Sequence, residues 1–87
     1  NKRKKITDIA FTMMLYLMRT QPIYDGNKRA AMMAANQIMI QNGKGIISIP
    51  IEQQVTFREI LIDFYETNDM YRIKNFLYNN CIDGINF

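Results

Sequence analysis

The residues best suited to chemistry lie together within the first third of the chain, as the consecutive residues Asp25, Gly26, Asn27, Lys28 and Arg29. Gly26 allows backbone conformations that other residues avoid, and it stands at the start of a predicted helix. The first amides of a helix have no intrahelical acceptor, and the helix dipole adds partial positive charge there. Lys28 and Arg29 add two formal charges where cations are normally disfavoured, so an anion would stabilise this segment. Asp25 offers a carboxylate to a divalent cation beside phosphate oxygens.

A simpler interpretation of the same residues is structural. Asp25, Gly26 and Asn27 also fit a turn that caps a helix, with Lys28 and Arg29 in solvent. A short Asp-Gly-Asn segment is common in proteins, so the local pattern leaves both interpretations open.

The longer segment QPIYDGNKR, residues 21–29, resembles the signature of the Fic/Doc family, which reads His-Pro-Phe-x-Asp/Glu-Gly-Asn-Gly/Lys-Arg between two core helices. The directly matching residues are Pro22, Asp25, Gly26, Asn27 and Arg29. Lys28 corresponds to the lysine of the Doc-like branch, where Fic adenylyltransferases have glycine. The context is similar as well, with an apolar helix before the segment, an alanine-rich helix after it, and then a Gly-x-Gly pair and an Ile-Pro connector. The similarity extends over most of the chain, which corresponds to the second half of a family domain.

This resemblance implies a transfer reaction, in which AMP or phosphate passes from ATP or another nucleotide to a protein hydroxyl. Gly26 and Asn27 would form the anion nest, with Arg29 as a bidentate donor to a phosphate. Lys28 would help to orient the phosphate, and Asp25 would hold Mg²⁺. The implied fold is an all-α, Fic-like helical bundle. The implied partners are the nucleotide and a protein target or regulatory partner.

Gln21 occupies the position of the family's catalytic histidine, which removes the proton from the target hydroxyl. A carboxamide has no useful basicity near pH 7, and the chain contains no histidine that could replace it. General-base catalysis contributes roughly 10²–10⁴-fold, so we expect transfer to be impaired. Ile23 replaces the family's phenylalanine, and Met32 stands where adenylyltransferases have a second arginine. The alternative is a catalytically dead Fic-fold module that serves protein interaction or regulation.

Composition narrows the remaining chemistry. The 87 residues include no histidine and one cysteine, Cys81. These counts exclude a His-containing triad, a Cys₂His₂ zinc site and an intramolecular disulfide supplied by this chain. Cys81 has no base partner in the sequence and is predicted to be a small apolar residue. A reducing, cytoplasmic compartment is the expected location.

The net charge of +3 comes from one end of the chain. Residues 2–5 hold 4 of the 11 basic residues, and the remainder balances to 7 − 8 = −1. We therefore interpret residues 1–5 as a solvated basic lead-in. Only this basic end favours a small DNA-binding domain. The rest of the sequence shows no basic face with aromatic partners, which such a domain would need. The densest apolar run, residues 13–18, is much shorter than the roughly 18 residues of a membrane-spanning helix.

Four helices are predicted in residues 1–87, which we interpret as a partial Fic/Doc-like domain and a fragment of a larger one. They cover residues 7–19, 27–42, 52–66 and 69–80. Thr7 or Asp8 is the expected N-cap of the first helix, and Asp69 that of the fourth. Gly43 is expected to end the second helix in a left-handed conformation. Residues 45–50 read as a short extended connector that ends at a proline.

Helical spacing also predicts which side chains face inward. In the first helix they are Ile9, Met13, Tyr16 and Leu17; in the third, Val55, Ile60 and Phe64 with Phe57 and Leu61 beside them; in the fourth, Ile73, Phe76 and Leu77. The first helix is apolar on nearly all sides, which is typical of a central helix with several neighbours. An apolar face left without a neighbour would favour self-association or a missing partner segment.

Overall fold

The computed structural model describes residues 2–20 and 25–83, with side chains described for residues 5–20 and 28–83. Over these residues the protein is all-α, as predicted. The helices are α1 (Lys2–Thr20), α2 (Asp25–Gln41), α3 (Gln54–Thr67) and α4 (Tyr71–Asn80). A turn of 3₁₀-helix at Ile51–Gln53 precedes α3, and two short strands, β1 (Ile46–Ile47) and β2 (Ile82–Asp83), pair antiparallel. No helix in these ranges has the length and apolar character needed to cross a membrane.

Helix α1 begins five residues earlier than predicted. It starts at Lys2, so the basic residues that were expected to form a lead-in belong to its first turns. Lysine and arginine are good helix formers, which explains why the helix continues through them. The prediction of an N-cap at Thr7 or Asp8 is wrong, because both residues lie inside the helix and Thr7 is buried there.

The buried face of α1 also differs from the predicted one. Its fully buried side chains are Ala10, Phe11, Met14, Leu15 and Met18. Ile9 and Tyr16, which were predicted to face inward, are 50% and 63% exposed, and Leu17 is exposed as well. In a helix that is apolar on nearly every side, two stripes have the same spacing, so only the position of the neighbouring helix decides which one is buried.

Helix α2 packs along α1 and presents small side chains to it. Ala31 and Ala35 are buried, and small side chains let two helices approach closely. The helix begins two residues earlier than predicted, so that Asp25 and Gly26 lie in its first turn and not in a preceding turn. Its end is as predicted, because Gly43 follows it with a left-handed φ of 66°.

Helices α3 and α4 pack on each other through faces that were largely predicted. Phe57, Ile60, Leu61 and Phe64 of α3 are buried, as are Ile73, Phe76 and Leu77 of α4. Val55 is 68% exposed, so its predicted inward orientation is wrong. Asp69 stands two residues before α4 and not at the cap position, but its Oδ1 accepts a hydrogen bond from the Tyr71 N–H at 3.0 Å.

Polar and aromatic contacts connect the first and last helices. Lys74 Nζ of α4 lies 2.8 Å from Asp8 Oδ1 and 2.7 Å from Thr12 Oγ1 of α1. Beside them, the rings of Phe11 and Tyr78 meet edge to face with centroids 4.9 Å apart. These contacts hold α4 against α1, although the two helices are far apart in the sequence.

The two strands lie at the end of α2. Ile46 pairs with Asp83 and Ile47 with Ile82. The extended character predicted for residues 45–50 is thus confirmed at β1, whereas β2 was not predicted. After β1 the chain enters α3 through the 3₁₀ turn, and Gln54 and Arg58 of α3 line a groove together with Lys28 near the start of α2.

Candidate anion site at the start of α2

The sequence-predicted site residues are only partly within the described structure. Gln21 lies outside the described residues. Asp25, Gly26 and Asn27 form the first turn of α2, and their side chains are likewise outside the description. Lys28 is half-buried and Arg29 is exposed. The backbone amides of this turn have no intrahelical acceptors and lie at the positive end of a 17-residue helix.

Lys28 forms part of the wall of a groove between the first turns of α2 and α3. The groove has a volume of about 170 Å³. The side chains that line it are Lys28, Ile49, Gln54, Phe57, Arg58 and Leu61. We call this feature the α2–α3 groove. It is the place where the described part of the predicted motif faces another element of the fold.

The lining of the α2–α3 groove is cationic and contains no carboxylate among the described residues. Lys28 comes from α2 and Arg58 from α3, so the two charges are supplied by different helices. Arg58 is exposed, and no ion pair joins it to another residue in the described part of the chain. Gln54 adds a carboxamide that can donate or accept a hydrogen bond. Chemically, this arrangement suits an anion.

The remaining walls of the groove are apolar and well supported. Phe57 is 9% exposed, and its ring stacks on Phe76 of α4 with centroids 6.2 Å apart and an interplanar angle of 27°. Leu61 is buried on the next turn of α3. Ile49 is carried into the groove by the connector that follows β1. These apolar side chains form the wall of the groove beside Lys28 and Arg58.

Arg29 does not share this groove. Its neighbour Lys28 is one residue away on α2, and successive helical residues point about 100° apart. Arg29 is accordingly exposed and absent from the groove lining. The structure thus brings Lys28 together with Arg58, which was not predicted, and leaves Arg29 on a different side of the same turn. No local pattern marks Arg58, since its place beside Lys28 depends on how α3 returns to α2.

The sequence predicts a metal ligand at Asp25. Within the described ranges, no three residues of the types His, Cys, Asp and Glu gather in a way that could hold a metal ion. Asp25, the predicted Mg²⁺ ligand, has its carboxylate outside the description. Its role therefore stays a prediction that depends on phosphate oxygens for the remaining ligands.

Other candidate reactive groups are buried away from solvent. Burial raises the pKa of the Cys81 thiol to about 11, so it is protonated near pH 7 and is a poor nucleophile. Burial also raises the pKa of Tyr65, whose hydroxyl has no hydrogen-bond partner in the described part of the chain. Neither group replaces the missing histidine as a base near neutral pH.

A larger hollow of about 390 Å³ lies on the exposed side of α1. Ile9, Thr12, Met13, Tyr16 and Met70 line it. None of the side chains that the structure describes in this lining is charged. Its apolar character fits contact with another apolar surface.

No family model, curated protein or solved structure matches this chain. The resemblance to the Fic/Doc family therefore rests on residues 21–29 and their sequence context.

Proposed function

We propose that the start of α2 binds the phosphates of a nucleotide in the manner of a Fic/Doc-like domain. The observation that carries this proposal is the α2–α3 groove, whose described lining brings Lys28 of the motif together with Arg58 and Gln54 of α3. Lysine, arginine and carboxamide side chains can all donate hydrogen bonds to phosphate oxygens. ATP or another nucleotide, with Mg²⁺ at Asp25, is the ligand that the resemblance implies.

The backbone supports the same proposal. The first turn of α2 lies at the positive end of a 17-residue helix, and its amides have no intrahelical acceptor, as in phosphate-binding helices. In the proposed site, Gly26 and Asn27 contribute to the anion nest and Arg29 contacts a phosphate from its own side of the turn. Lys28 orients the phosphate chain toward the groove.

The proposed reaction is transfer of AMP or phosphate to a protein hydroxyl, at a rate reduced by Gln21. A carboxamide cannot accept the hydroxyl proton, so the site would stabilise the phosphate without removing that proton. Positioning and charge stabilisation would still operate. We therefore expect binding to be retained more fully than transfer.

A second candidate function is a catalytically inactive module for protein interaction. The observation in its favour is the exposed apolar side of α1, where Ile9 and Tyr16 flank the 390 Å³ hollow. Exposed apolar surface of this kind is often covered by a protein partner or by a second copy. This function does not require a nucleotide.

The decisive experiment is a titration of ¹⁵N-labelled protein with ATP and Mg²⁺, following backbone amide shifts. We expect saturable shifts at Gly26, Asn27, Lys28 and Arg29, weakened in Asn27→Ala and Arg29→Ala. Arg72→Gln is the matched control, because Arg72 is exposed and paired with Asp63 on the far part of α3.

The two functions predict different outcomes of this titration. Absence of shifts at millimolar nucleotide in a folded sample would exclude nucleotide binding and favour the interaction module. A concentration series by sedimentation would then test self-association through α1, with Tyr16→Lys expected to reduce it.

A further inference from the structure

The exposed side of α1 carries an apolar stripe with a cation at each end. Ile9 and Tyr16 lie seven residues apart, are each at least 50% exposed and flank the hollow of about 390 Å³. Lys5 precedes Ile9 by four residues and Arg19 follows Tyr16 by three, and both cations are exposed. Successive residues of a helix turn by about 100°, so these four positions fall within about 80° of one another. We call them the α1 face.

Helix α3 exposes a similar stripe with the opposite charge at its ends. Val55 and Ile62 are also seven residues apart and at least 50% exposed. Glu66 follows Ile62 by four residues, and Glu52, in the 3₁₀ turn that leads into α3, precedes Val55 by three. Both carboxylates are exposed, and no ion pair joins them to another residue in the part of the chain that the structure describes. We call these four residues the α3 face.

The two faces have the same spacing in opposite directions. Along the α1 face the intervals from cation to apolar residue, to apolar residue, to cation are four, seven and three residues; along the α3 face the corresponding intervals are three, seven and four. We propose that the α1 face of one copy of this chain packs antiparallel on the α3 face of a second copy. Each position then meets its chemical complement: Lys5 meets Glu66, Ile9 meets Ile62, Tyr16 meets Val55, and Arg19 meets Glu52.

Charge disfavours the other pairings of these faces. Two α1 faces packed antiparallel would bring Lys5 opposite Arg19, and two α3 faces would bring Glu52 opposite Glu66. Like charges opposed across an interface suppress the wrong partner, whereas opposite charges select the right one. A parallel arrangement of the α1 face on the α3 face is out of register by one residue, because the interval of four would then lie against the interval of three.

The centre of the antiparallel pairing places a carboxylate beside a cation. In the same register, Glu59 of the second copy comes opposite Thr12 of α1. Lys74 Nζ lies 2.7 Å from Thr12 Oγ1 and also pairs with Asp8, so a positive group stands at the position that Glu59 would reach. Covering a carboxylate is costly unless it is paired, and Lys74 supplies a partner for it.

The two faces differ, so each dimer formed in this way leaves one α1 face and one α3 face uncovered. Head-to-tail contacts of this kind continue into rings or open chains. A single pair of helices buries less surface than the roughly 1,200–2,000 Å² of stable interfaces, so we expect weak association that depends on concentration. The pairing goes beyond nucleotide binding and does not depend on it, and it gives the second candidate function a definite partner.

Two variants that each block a different face test the pairing. Tyr16→Lys blocks the α1 face and Ile62→Lys blocks the α3 face, while Met33→Lys, at a residue 72% exposed on α2, is the control for an added surface lysine. In sedimentation at low salt, each face variant alone should associate at least about tenfold more weakly than the unchanged protein or Met33→Lys, as for a charge placed in an apolar contact. An equimolar mixture of the two face variants should form a dimer that grows no further, because each variant brings one intact face.

Charge reversal tests the antiparallel register. Lys5→Glu and Glu66→Lys should each weaken the association by about fivefold. The chain that carries both substitutions should recover it, because the two reversed charges again face each other across the interface. Amide spectra of each variant confirm that these exposed substitutions leave the fold unchanged.

Each contrary result has a definite meaning. A protein that stays monomeric at millimolar concentration would overturn the pairing, as would undiminished association of either face variant. A mixture that associates no better than each variant alone would show that the two faces do not bind each other. Lack of recovery in the doubly reversed chain would overturn the register. No nucleotide is present in these measurements, so the titration with ATP decides the proposed function separately.

Discussion

Asn36 of α2 and Ile47 of β1 exchange two hydrogen bonds through one carboxamide. Asn36 Nδ2 donates to the Ile47 carbonyl oxygen at 3.1 Å, and the Ile47 N–H donates to Asn36 Oδ1 at 2.5 Å. The side chain thereby completes the edge of β1 that faces away from β2, as a neighbouring strand would. Because Ile49 follows two residues later and lines the α2–α3 groove, this pair also sets the position of one groove wall.

Replacing Asn36 should therefore cost more stability than its partial exposure suggests. Asn36→Ala leaves both backbone groups of the buried Ile47 without their partners, and we expect a loss of about 1–3 kcal/mol in the free energy of unfolding. Urea denaturation followed by circular dichroism measures this loss. The control is Gln37→Ala, because Gln37 is exposed on the next position of α2. Equal stability of the two variants would contradict the structural role of the carboxamide.

The core of α3 offers a second comparison between two apolar residues. Phe64 is 1% exposed and Val55 is 68% exposed. Phe64→Ala should lower the free energy of unfolding by about 3–5 kcal/mol because it leaves a cavity, whereas Val55→Ala should change it by less than about 0.5 kcal/mol. Chemical denaturation of the two variants tests this. A large loss in Val55→Ala would mean that this side chain is covered in solution.

Val55 also shows where the sequence prediction of buried faces could have been sharper. Nine residues separate it from Phe64, which at about 100° per residue places the two on opposite sides of α3. Phe57, Ile60 and Leu61 share the face of Phe64 and are buried with it. A strict helical projection therefore predicts this core, while hydrophobicity alone wrongly adds Val55.

The face of α1 and the lining of the groove could not be predicted in the same way. Almost every side of α1 is apolar, so its buried face depends on the position of α2, which the sequence pattern does not contain. Lys28 could be singled out from the motif because the relevant residues are consecutive. Arg58 joins it only through the return of the chain by way of β1, and that path depends on tertiary contacts such as the Asn36–Ile47 pair.

Burial of Cys81 predicts low reactivity and a sensitivity to alkaline pH. The pKa of its thiol is raised to about 11 in the folded protein, compared with about 8.5 for an unperturbed cysteine. The protonated thiol is thus favoured by folding, so this contribution is fully present below about pH 8.5 and is lost as the pH rises toward 11. Cys81→Ala should flatten that part of the stability curve.

Thiol labelling measures the same property directly. The native protein should react slowly with a disulfide reagent at pH 8, and unfolding in urea should increase the rate by orders of magnitude. Rapid labelling of the folded protein would contradict the burial of Cys81.

Gly43 isolates the cost of backbone conformation from that of packing. Its φ is +66°, and a Cβ at this position would meet nothing within 4 Å. Gly43→Ala should therefore lower stability by about 1–2 kcal/mol through backbone strain alone. Gly43→Asn should lose less, because asparagine tolerates the left-handed region. Thermal unfolding of the two variants distinguishes strain from a packing effect, in which the larger asparagine would be worse.

The last prediction concerns Gln21, which lies outside the described residues and occupies the position of the family's catalytic histidine. If the proposed site is otherwise competent, Gln21→His supplies a base for the acceptor hydroxyl and should raise transfer from ATP by roughly 10²–10⁴-fold. Intact-mass measurement detects AMP or phosphate added to the chain itself or to a supplied acceptor protein. Gln21→Ala is the control for removal of the amide and should give no gain. Adding Arg29→Ala to Gln21→His should abolish the gain, since the nucleotide that the activated hydroxyl must attack would no longer be held in place. A Gln21→His protein that binds ATP but transfers nothing would show that the missing base is not the limiting defect.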